Sequence, residues 1–276
     1  RSRRRPLESS AIPAGAKSLK TIWTDNERSL SIFMKLSKRL ETIASFVPKG
    51  SKIADIGTDH GYIPIYLVEN GAAVRALAMD VREGPLARAR EHVEEHGLSD
   101  RIETRLSDGM EKLRSGEADT VIIAGMGGEL VIHILEEGRR LWPEVRSFVL
   151  SPHSELHKVR RYLRENGFAA EDETMVKDEG KFYTVMRVRW EGGAGEWAAC
   201  HAAGGAHEPA REIDDLYGAR LLRMKHPVLK EYLEKEREKA QSLLKSLAAA
   251  DTDGARARAE SLSRELERIK EAEDEM

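Results

Sequence analysis

Acidic residues and glycines stand at the ends of four successive apolar runs of the chain. Asp55–Tyr62 and Asp80 follow the first two runs, and Asp108–Gly109 and Gly125–Gly128 follow the next two. Glycines allow tight turns and let the backbone approach a ligand where a Cβ would collide. Carboxylates accept hydrogen bonds from hydroxyl and amino groups. Because the carboxyl ends of parallel strands form one ligand-binding edge, these segments predict a site for a nucleotide-like ligand.

The acids of these segments favour S-adenosylmethionine over a dinucleotide. Asp59 stands where a third glycine is common in dinucleotide-binding turns, and its carboxylate would repel a pyrophosphate. S-adenosylmethionine carries an ammonium and a sulfonium, which acids tolerate. We expect Asp55 to organise the ammonium, Asp80 to accept both ribose hydroxyls, and Asp108 to accept the exocyclic amine of adenine. A surface Asp80 that caps the next helix and a plain turn at Asp108 are the alternatives. The predicted cofactor-binding residues of these segments are Asp55, Gly57, Thr58, Asp59, Gly61, Asp80, Val81, Asp108, Gly109, Gly125, Met126 and Gly127.

Three ring side chains, His60, Tyr62 and His153, are the predicted catalytic residues. Tyr62 can stack on a base, although burial would explain it equally well. A hydrogen-bonded structural role is the alternative for His153. The loop Gly125–Gly128 offers a backbone floor that suits a flat base, and close packing of helix on sheet is the alternative there. No His, Cys and carboxylate cluster in the sequence has metal-ligand spacing, so we predict no metal.

Hydrophobic periodicity predicts the elements that position these residues. After a helix at 36–47, strands are predicted at 52–56, 73–79, 101–106, 120–124 and 147–150, and helices at 61–69, 85–96, 129–137 and 154–166. Ser154 is the predicted N-cap of the last helix. Strands at 170–177 and 181–190 flank Asp178–Gly180 and form a hairpin. The predicted fold class is α/β, the doubly wound sheet of a class I methyltransferase with an antiparallel C-terminal hairpin, whereas a dehydrogenase-type fold would need a sixth parallel strand.

This predicted domain spans residues 34–190. The rest of the chain divides into three parts. Residues 191–207 are rich in Gly and Ala and predict a linker. Residues 208–276 are charged and carry leucine seams, which predict a helical hairpin or coiled coil that binds RNA, itself or a second subunit. Residues 1–33 lack periodicity and precede Met34, so we interpret them as a disordered or extraneous extension; a basic arm that holds RNA is the alternative.

Composition limits the partners of the chain. It has 276 residues and a net charge of −3, so RNA binding must come from a local basic patch. One predicted helix carries a basic run of this kind, formed by Lys158, Arg160, Arg161 and Arg164. The run is either a solvated helix face or a binding site for phosphates. No apolar run is long enough to span a bilayer, and the single cysteine, Cys200, excludes an internal disulfide. We therefore expect a cytoplasmic monomer or homodimer without a membrane partner.

The combined motifs resemble one family, the bacterial tRNA (adenine-22-N1)-methyltransferases. The segments that carry the resemblance are Leu36–Leu40, Asp55–Tyr62, Glu83–Pro85, Ser107–Gly109, Ala124–Glu129, Glu179–Tyr183 and, more loosely, Pro227–Leu233. The resemblance implies methyl transfer from S-adenosylmethionine to N1 of adenosine 22 in the D-loop region of a tRNA. It also implies a role for Arg39 near the cofactor carboxylate or the RNA. Ser151–His153 departs from the Gln-Pro-Asn-like segment of other members, which leaves base contacts from that loop open.

Two other functions are compatible with the motifs. The first is a methyltransferase that acts on a small molecule or a protein. The charged helical segment argues against it, because small substrates favour a lidded pocket. The second is a cofactor-binding scaffold without catalysis. The intact acids Asp55, Asp80 and Asp108 argue against that function.

Overall fold

The structure is a computed structural model that describes residues 35–192, 211–247 and 252–276. The predicted extension 1–33 and most of the predicted linker 191–207 lie outside the described residues. The strands are β1 Ser51–Ile56, β2 Ala73–Asp80, β3 Ile102–Leu106, β4 Thr120–Ala124, β5 Ser147–Ser151, β6 Phe168–Asp178 and β7 Lys181–Trp190. The helices are α1 Lys38–Ser45, α2 Tyr62–Glu69, α3 Glu83–Glu95, α4 Gly128–Glu137, α5 Leu156–Glu165, α6 Ala219–Arg223, α7 Pro227–Leu247 and α8 Asp253–Glu275.

The seven strands form one mixed sheet in the order β3-β2-β1-β4-β5-β7-β6. Strands β1 to β5 are parallel, whereas β7 runs antiparallel to both β5 and β6. The predicted doubly wound sheet with an antiparallel hairpin is therefore confirmed. Strand order reverses beside β1, whose neighbours are β2 and β4, and ligands of such sheets bind at the carboxyl ends next to this point.

The parallel strands are apolar because helices cover both faces of the sheet. Successive side chains alternate between the faces: Val121 and Ile123 of β4 enter one apolar core and Ile122 enters the other. Helices α4 and α5 cover the first face, and α1, α2 and α3 cover the second. This two-sided burial fixes where each strand ends, and it thereby fixes the loops that carry the predicted site.

The C-terminal helices pack on the sheet edge instead of standing free. Leu229 and Leu233 of α7 and Ile269 of α8 share an apolar cluster with Met175 of β6. A π-helical turn, Asp214–Gly218, leads into α6 beside this cluster. The described residues from 35 onward belong to one compact unit that spans 34–276. Helical structure in this segment is as predicted, while its RNA-binding role stays a prediction.

Two arginines of the basic run on α5 have a different role from either of the predicted ones. Arg160 forms an ion pair of 2.8 Å with buried Glu173 and also donates to the carbonyls of 215 and 216. Arg161 and Arg164 both pair with Asp215, which is 4 % exposed. Arg160 and Arg164 fasten the C-terminal segment to the domain, so the prediction of a solvated face or a phosphate grip was wrong for these two, whereas the Arg161 side chain is still 52 % exposed. Lys158 pairs instead with Glu129, at 2.5 Å.

The start of α5 also differs from the prediction. Glu155, not Ser154, precedes the first helical residue, and its backbone is left-handed with φ of 53°. The Ser154 hydroxyl donates to the Glu155 carboxylate at 3.0 Å and caps no helical N–H. The chain before α5 packs closely on the start of α4, because a Cβ on Gly128 would lie 2.6 Å from the Ser154 carbonyl oxygen. No described helix is both long and apolar enough to cross a membrane.

Candidate cofactor and substrate site

A cavity of about 680 Å³ opens at the carboxyl ends of β1, β2 and β4, next to the point where strand order reverses. It collects most of the predicted cofactor-binding residues, although they come from four separate loops. The predicted residues that line it are Arg39, Asp55, Gly57, Asp59, Tyr62, Asp80, Val81, Asp108, Gly109, Gly125, Met126 and His153.

The turn after β1 brings backbone and acid to the cavity. Gly57 has φ of 77°, a conformation that L side chains rarely adopt, and its N–H donates to the Met79 carbonyl at 2.8 Å. A Cβ on Gly57 would lie 2.0 Å from the Met126 methyl carbon. Asp55 is only 5 % exposed at the end of β1. Burial raises its pKa to about 6, and the negative charge of Asp80 contributes to the rise.

Of the two other acids, Asp80 ends β2 and Asp108 lies in the loop after β3. Asp80 is buried, and its Oδ1 accepts the backbone N–H of Arg82 at 2.8 Å. Because α3 begins only at Glu83 and Arg82 is its N-cap, Asp80 is not the surface cap that we considered as an alternative. Asp108 precedes Gly109, on which a Cβ would lie 3.2 Å from Ile134. The acids therefore lie along one wall in the order expected for an ammonium, a ribose and an adenine.

Exposed apolar side chains also line the cavity. Val81 and Leu130 line the cavity and are 58 % and 47 % exposed, respectively. Few other large apolar side chains of the described residues are as exposed. Ile134 and Met126 lie alongside them. A flat, apolar ring with polar edges, such as adenine, would cover these side chains.

His60 and Tyr62 belong to a stack of rings at one side of the cavity. The His60 and Tyr62 rings lie 5.2 Å apart and almost parallel, and His92 of α3 lies 5.5 Å from His60. His92 also holds the His60 carbonyl oxygen through its Nδ1, at 2.9 Å. Tyr62 lines the cavity, whereas His60 does not. Asp59 is 72 % exposed beside His60 and Arg88.

Arg39 and His153, which also line the cavity, are in contact with each other. Arg39 Nη1 lies 2.9 Å from His153 Nε2, and the Arg39 guanidinium lies 5.0 Å from the centre of the Tyr183 ring. Burial and the charges of Arg39 and Lys181 lower the pKa of His153. His153 is therefore neutral at physiological pH, and a neutral ring accepts from Arg39 through Nε2 with its proton on Nδ1.

Three of the predicted cofactor-binding residues are not part of the cavity lining. Thr58 is buried under the turn that follows β1. Gly61 packs against Ala89 of α3, because a Cβ added to Gly61 would lie 3.4 Å from the Cβ of Ala89. Gly127 faces the Ser154 hydroxyl at a corresponding distance of 3.3 Å. Close packing, which we considered as the alternative for this glycine loop, describes Gly127 and Gly128. The roles of Thr58, Gly61 and Gly127 in cofactor binding stay predictions.

Several residues that line the cavity had no predicted role. Asp178, Glu179 and Tyr183 come from the hairpin between β6 and β7, and Ser37 comes from the start of α1. The hairpin segment Glu179–Tyr183 was part of the family resemblance, which was a signal for function. However, no local pattern places an antiparallel hairpin over loops that lie more than a hundred residues earlier in the chain.

The cavity fits S-adenosylmethionine on several observations. Glycine is needed at two positions of the lining. A Cβ on Gly57 would collide with Met126, and a Cβ on Gly125 would lie 3.1 Å from Arg39 Nη2. Arg39 Nε is buried and has no hydrogen-bond partner among the described residues, which leaves a donor for an anionic group. Buried Asp55 and Asp80 provide acceptors. The donor set thus matches a ligand with a carboxylate, an ammonium and a ribose.

The fold and this cavity define a class of protein, the class I methyltransferases. In agreement, the model of a family described as a methyltransferase domain matches residues 36–186. The chain is 34% identical over 242 residues to the tRNA (adenine(22)-N(1))-methyltransferase of Bacillus subtilis, covering 87% of this chain and 98% of the relative. The chain therefore belongs to the tRNA (adenine(22)-N(1))-methyltransferase family.

Solved structures agree with this assignment. The crystal structure of the B. subtilis m1A22 tRNA methyltransferase TrmK superposes with a TM-score of 0.73 at 34% identity, over 86% of this chain and 98% of that one. Streptococcus pneumoniae Sp1610, crystallised in complex with S-adenosyl-L-methionine, superposes with a TM-score of 0.72 at 33% identity, over 86% and 99% of the two chains.

Proposed function

We propose that the protein transfers the methyl group of S-adenosylmethionine to N1 of adenosine 22 in a tRNA. The observation that carries the proposal is the cavity itself, in which Asp55, Asp80 and Asp108 follow one another along a wall at the strand-order reversal. Membership of the family and the cofactor complex of Sp1610 support it. A tRNA substrate, together with the single cysteine, also favours a cytoplasmic location.

Each part of the cavity has a role in this reaction. Asp55 holds the ammonium of the methionine moiety, Asp80 holds the ribose, and Asp108 holds the adenine amine of the cofactor. Arg39 Nε donates to the cofactor carboxylate. Tyr62, His153 and Tyr183 surround the remaining space, where the target base is placed after it leaves its stack. Unstacking a base costs roughly a few kcal/mol, which contacts with these rings offset.

The reaction needs little acid–base chemistry. The cofactor supplies an electrophilic methyl group on a sulfonium. The in-plane lone pair of neutral adenine N1 forms the new N–C bond, and the S–C electron pair leaves with sulfur. The products are a neutral thioether and a cationic N1-methyladenosine, so no proton has to be removed. The residues of the chain therefore act by in-line positioning and by favouring positive charge. His153 is suited to this task, because its lowered pKa keeps it uncharged beside the cationic product.

The direct test is methylation of a tRNA transcript, followed by nucleoside analysis. We expect N1-methyladenosine in a transcript with adenosine at position 22 and none when uridine replaces it. Asp80→Ala should abolish the product, because it removes the buried ribose acceptor. Methylation of a protein or a small amine with no product in tRNA would favour the first alternative function. Cofactor binding without any methyl transfer would favour the scaffold.

A further inference from the structure

The tip of the β6–β7 hairpin places a fixed carboxylate at the substrate end of the cavity. Asp178 lines the cavity together with His153 and Tyr183. Its Oδ2 accepts the backbone N–H of Arg39 at 3.0 Å, although the two residues are 139 positions apart. Its Oδ1 has no hydrogen-bond partner in the part of the chain that the structure describes. One oxygen of Asp178 thus holds the side chain in place, and the other is available.

The hairpin is fixed from its other side as well. Phe182 packs edge-to-face on Tyr232 of α7, with ring centres 5.4 Å apart, and the Lys177 ammonium lies 5.5 Å from the centre of the Phe182 ring. Lys177 also pairs with Glu231. Because side chains alternate along a strand, Phe182 faces α7 while Tyr183 faces the cavity. The position of Asp178 is therefore set before any substrate arrives.

We infer that the free oxygen of Asp178 accepts a hydrogen bond from the N6 amine of the target adenine. The inference rests on the proposed function. In adenine the N6 amine is the neighbour of N1, the atom that receives the methyl group. A carboxylate at this place accepts from an amine but repels the O6 acceptor that guanine has there. Asp178 would therefore select adenine among the purines.

The same contact would favour the reaction itself. Methylation at N1 leaves a positive charge that spreads over the ring and onto the N6 amine, which becomes a stronger donor. A hydrogen bond to a carboxylate strengthens as its donor gains charge. Because the Arg39 N–H already holds Asp178, little reorganisation is needed in the transition state. Glu179, the neighbouring acid, is exposed and has no such anchor among the described residues.

The test combines a variant with a modified base. Asp178→Asn keeps an amide oxygen for the Arg39 N–H, and this contact turns the NH₂ group toward the substrate in place of the free oxygen. Two tRNA transcripts are compared, one with adenosine and one with purine riboside, which lacks the amine, at position 22. Glu179→Gln is the charge control, because it removes one negative charge from the same hairpin tip.

We expect Asp178→Asn to lower kcat/KM about 10- to 100-fold on the adenosine transcript and less than about 3-fold on the purine transcript. Glu179→Gln should lower both rates by one common factor. The comparison is made within each protein, so a loss of folded enzyme cancels from the ratio. An Asp178→Asn effect that is equal on both transcripts would overturn the inference. Absence of methylation by the unaltered protein would instead mean that the proposed function is wrong.

Discussion

At the scale of single residues, the site depends on a buried acid, Asp55, whose negative charge is disfavoured by burial until a cation binds. Burial raises its pKa to about 6 from 3.8. In the cofactor-free protein Asp55 is therefore mainly protonated below about pH 6, whereas the ammonium of the cofactor favours the ionised form. The pKa of Asp55 links the pH to the two properties that can be measured, cofactor affinity and stability.

We predict that the affinity for S-adenosylmethionine falls as the pH drops below about 6, by up to about tenfold per pH unit. Titration calorimetry between pH 5 and pH 8 measures this. Asp55→Asn should bind the cofactor weakly and with little dependence on pH in this range. A wild-type affinity that stays constant down to pH 5 would contradict an ionic role for Asp55.

Stability should change with pH in the opposite direction. A carboxyl whose pKa is raised on folding stabilises the protein fully below its unfolded pKa, and this contribution is lost as the pH rises through the folded pKa. The free energy of unfolding of the empty protein should therefore fall by up to about 3 kcal/mol, from Asp55 alone, between pH 4 and pH 7. Denaturant unfolding of wild type and Asp55→Asn isolates this contribution as the difference between the two pH profiles.

Gly57 allows a third prediction at this scale. Its φ of 77° makes any side chain unfavourable by about 1–2 kcal/mol, and a Cβ would push Met126 out of place. Gly50 has φ of 81° with nothing within 4 Å of an added Cβ, so Gly50→Ala is the matched control. We expect both variants to lose similar stability in thermal unfolding, but only Gly57→Ala to lose cofactor affinity. Equal cofactor affinities would show that the cavity tolerates the methyl group.

At the scale of elements, sequence periodicity predicted the parallel strands and their helices well, because two-sided burial leaves a strong apolar signal. It also placed Asp55, Asp80 and Asp108 on a common edge, since each lies at or just after the carboxyl end of its own strand. It failed where partners are distant. The arginines of α5 form an ordinary basic run in the sequence, and only the fold shows that Asp215, about fifty positions later, neutralises two of them. The contribution of Asp178 was missed for the same reason.

The attachment of the C-terminal segment can be tested through Asp215. This carboxylate is 4 % exposed, and its removal leaves Arg164, a largely buried cation, without its ion-pair partner. Breaking a buried ion pair costs about 3–5 kcal/mol, so Asp215→Ala should lower the free energy of unfolding by about 3 kcal/mol. Lys239→Ala, which removes the exposed pair with Glu236, should cost less than about 1 kcal/mol. Denaturant unfolding of the two variants makes the comparison, and similar losses would argue against a buried joint.

At the scale of the whole molecule, a protein with a net charge of −3 has to bind tRNA, which is a polyanion. Arg160 and Arg164 are largely buried against internal partners, so exposed cations at other positions are the candidates for RNA contacts. Lys38 is exposed between Ser37 and Arg39, which both line the cavity, and Lys181 is exposed near His153. Neither lysine has an ion-pair partner among the described residues. These two lysines mark the rim where the phosphates beside the target base would pass.

We therefore predict that tRNA affinity depends on this rim and on salt, whereas cofactor affinity does not. Each phosphate contact contributes about 0.9 to the slope of log K against log salt for duplex nucleic acid and about 0.7 for single strands. Lys38→Gln and Lys181→Gln should each weaken tRNA binding and lower this slope by about one contact, while Lys239→Gln, whose partner is Glu236, should change neither. Filter binding across a salt series, with calorimetry for the cofactor, measures both quantities. An unchanged slope in the rim variants would place the RNA elsewhere, with the C-terminal helices as the next surface to test.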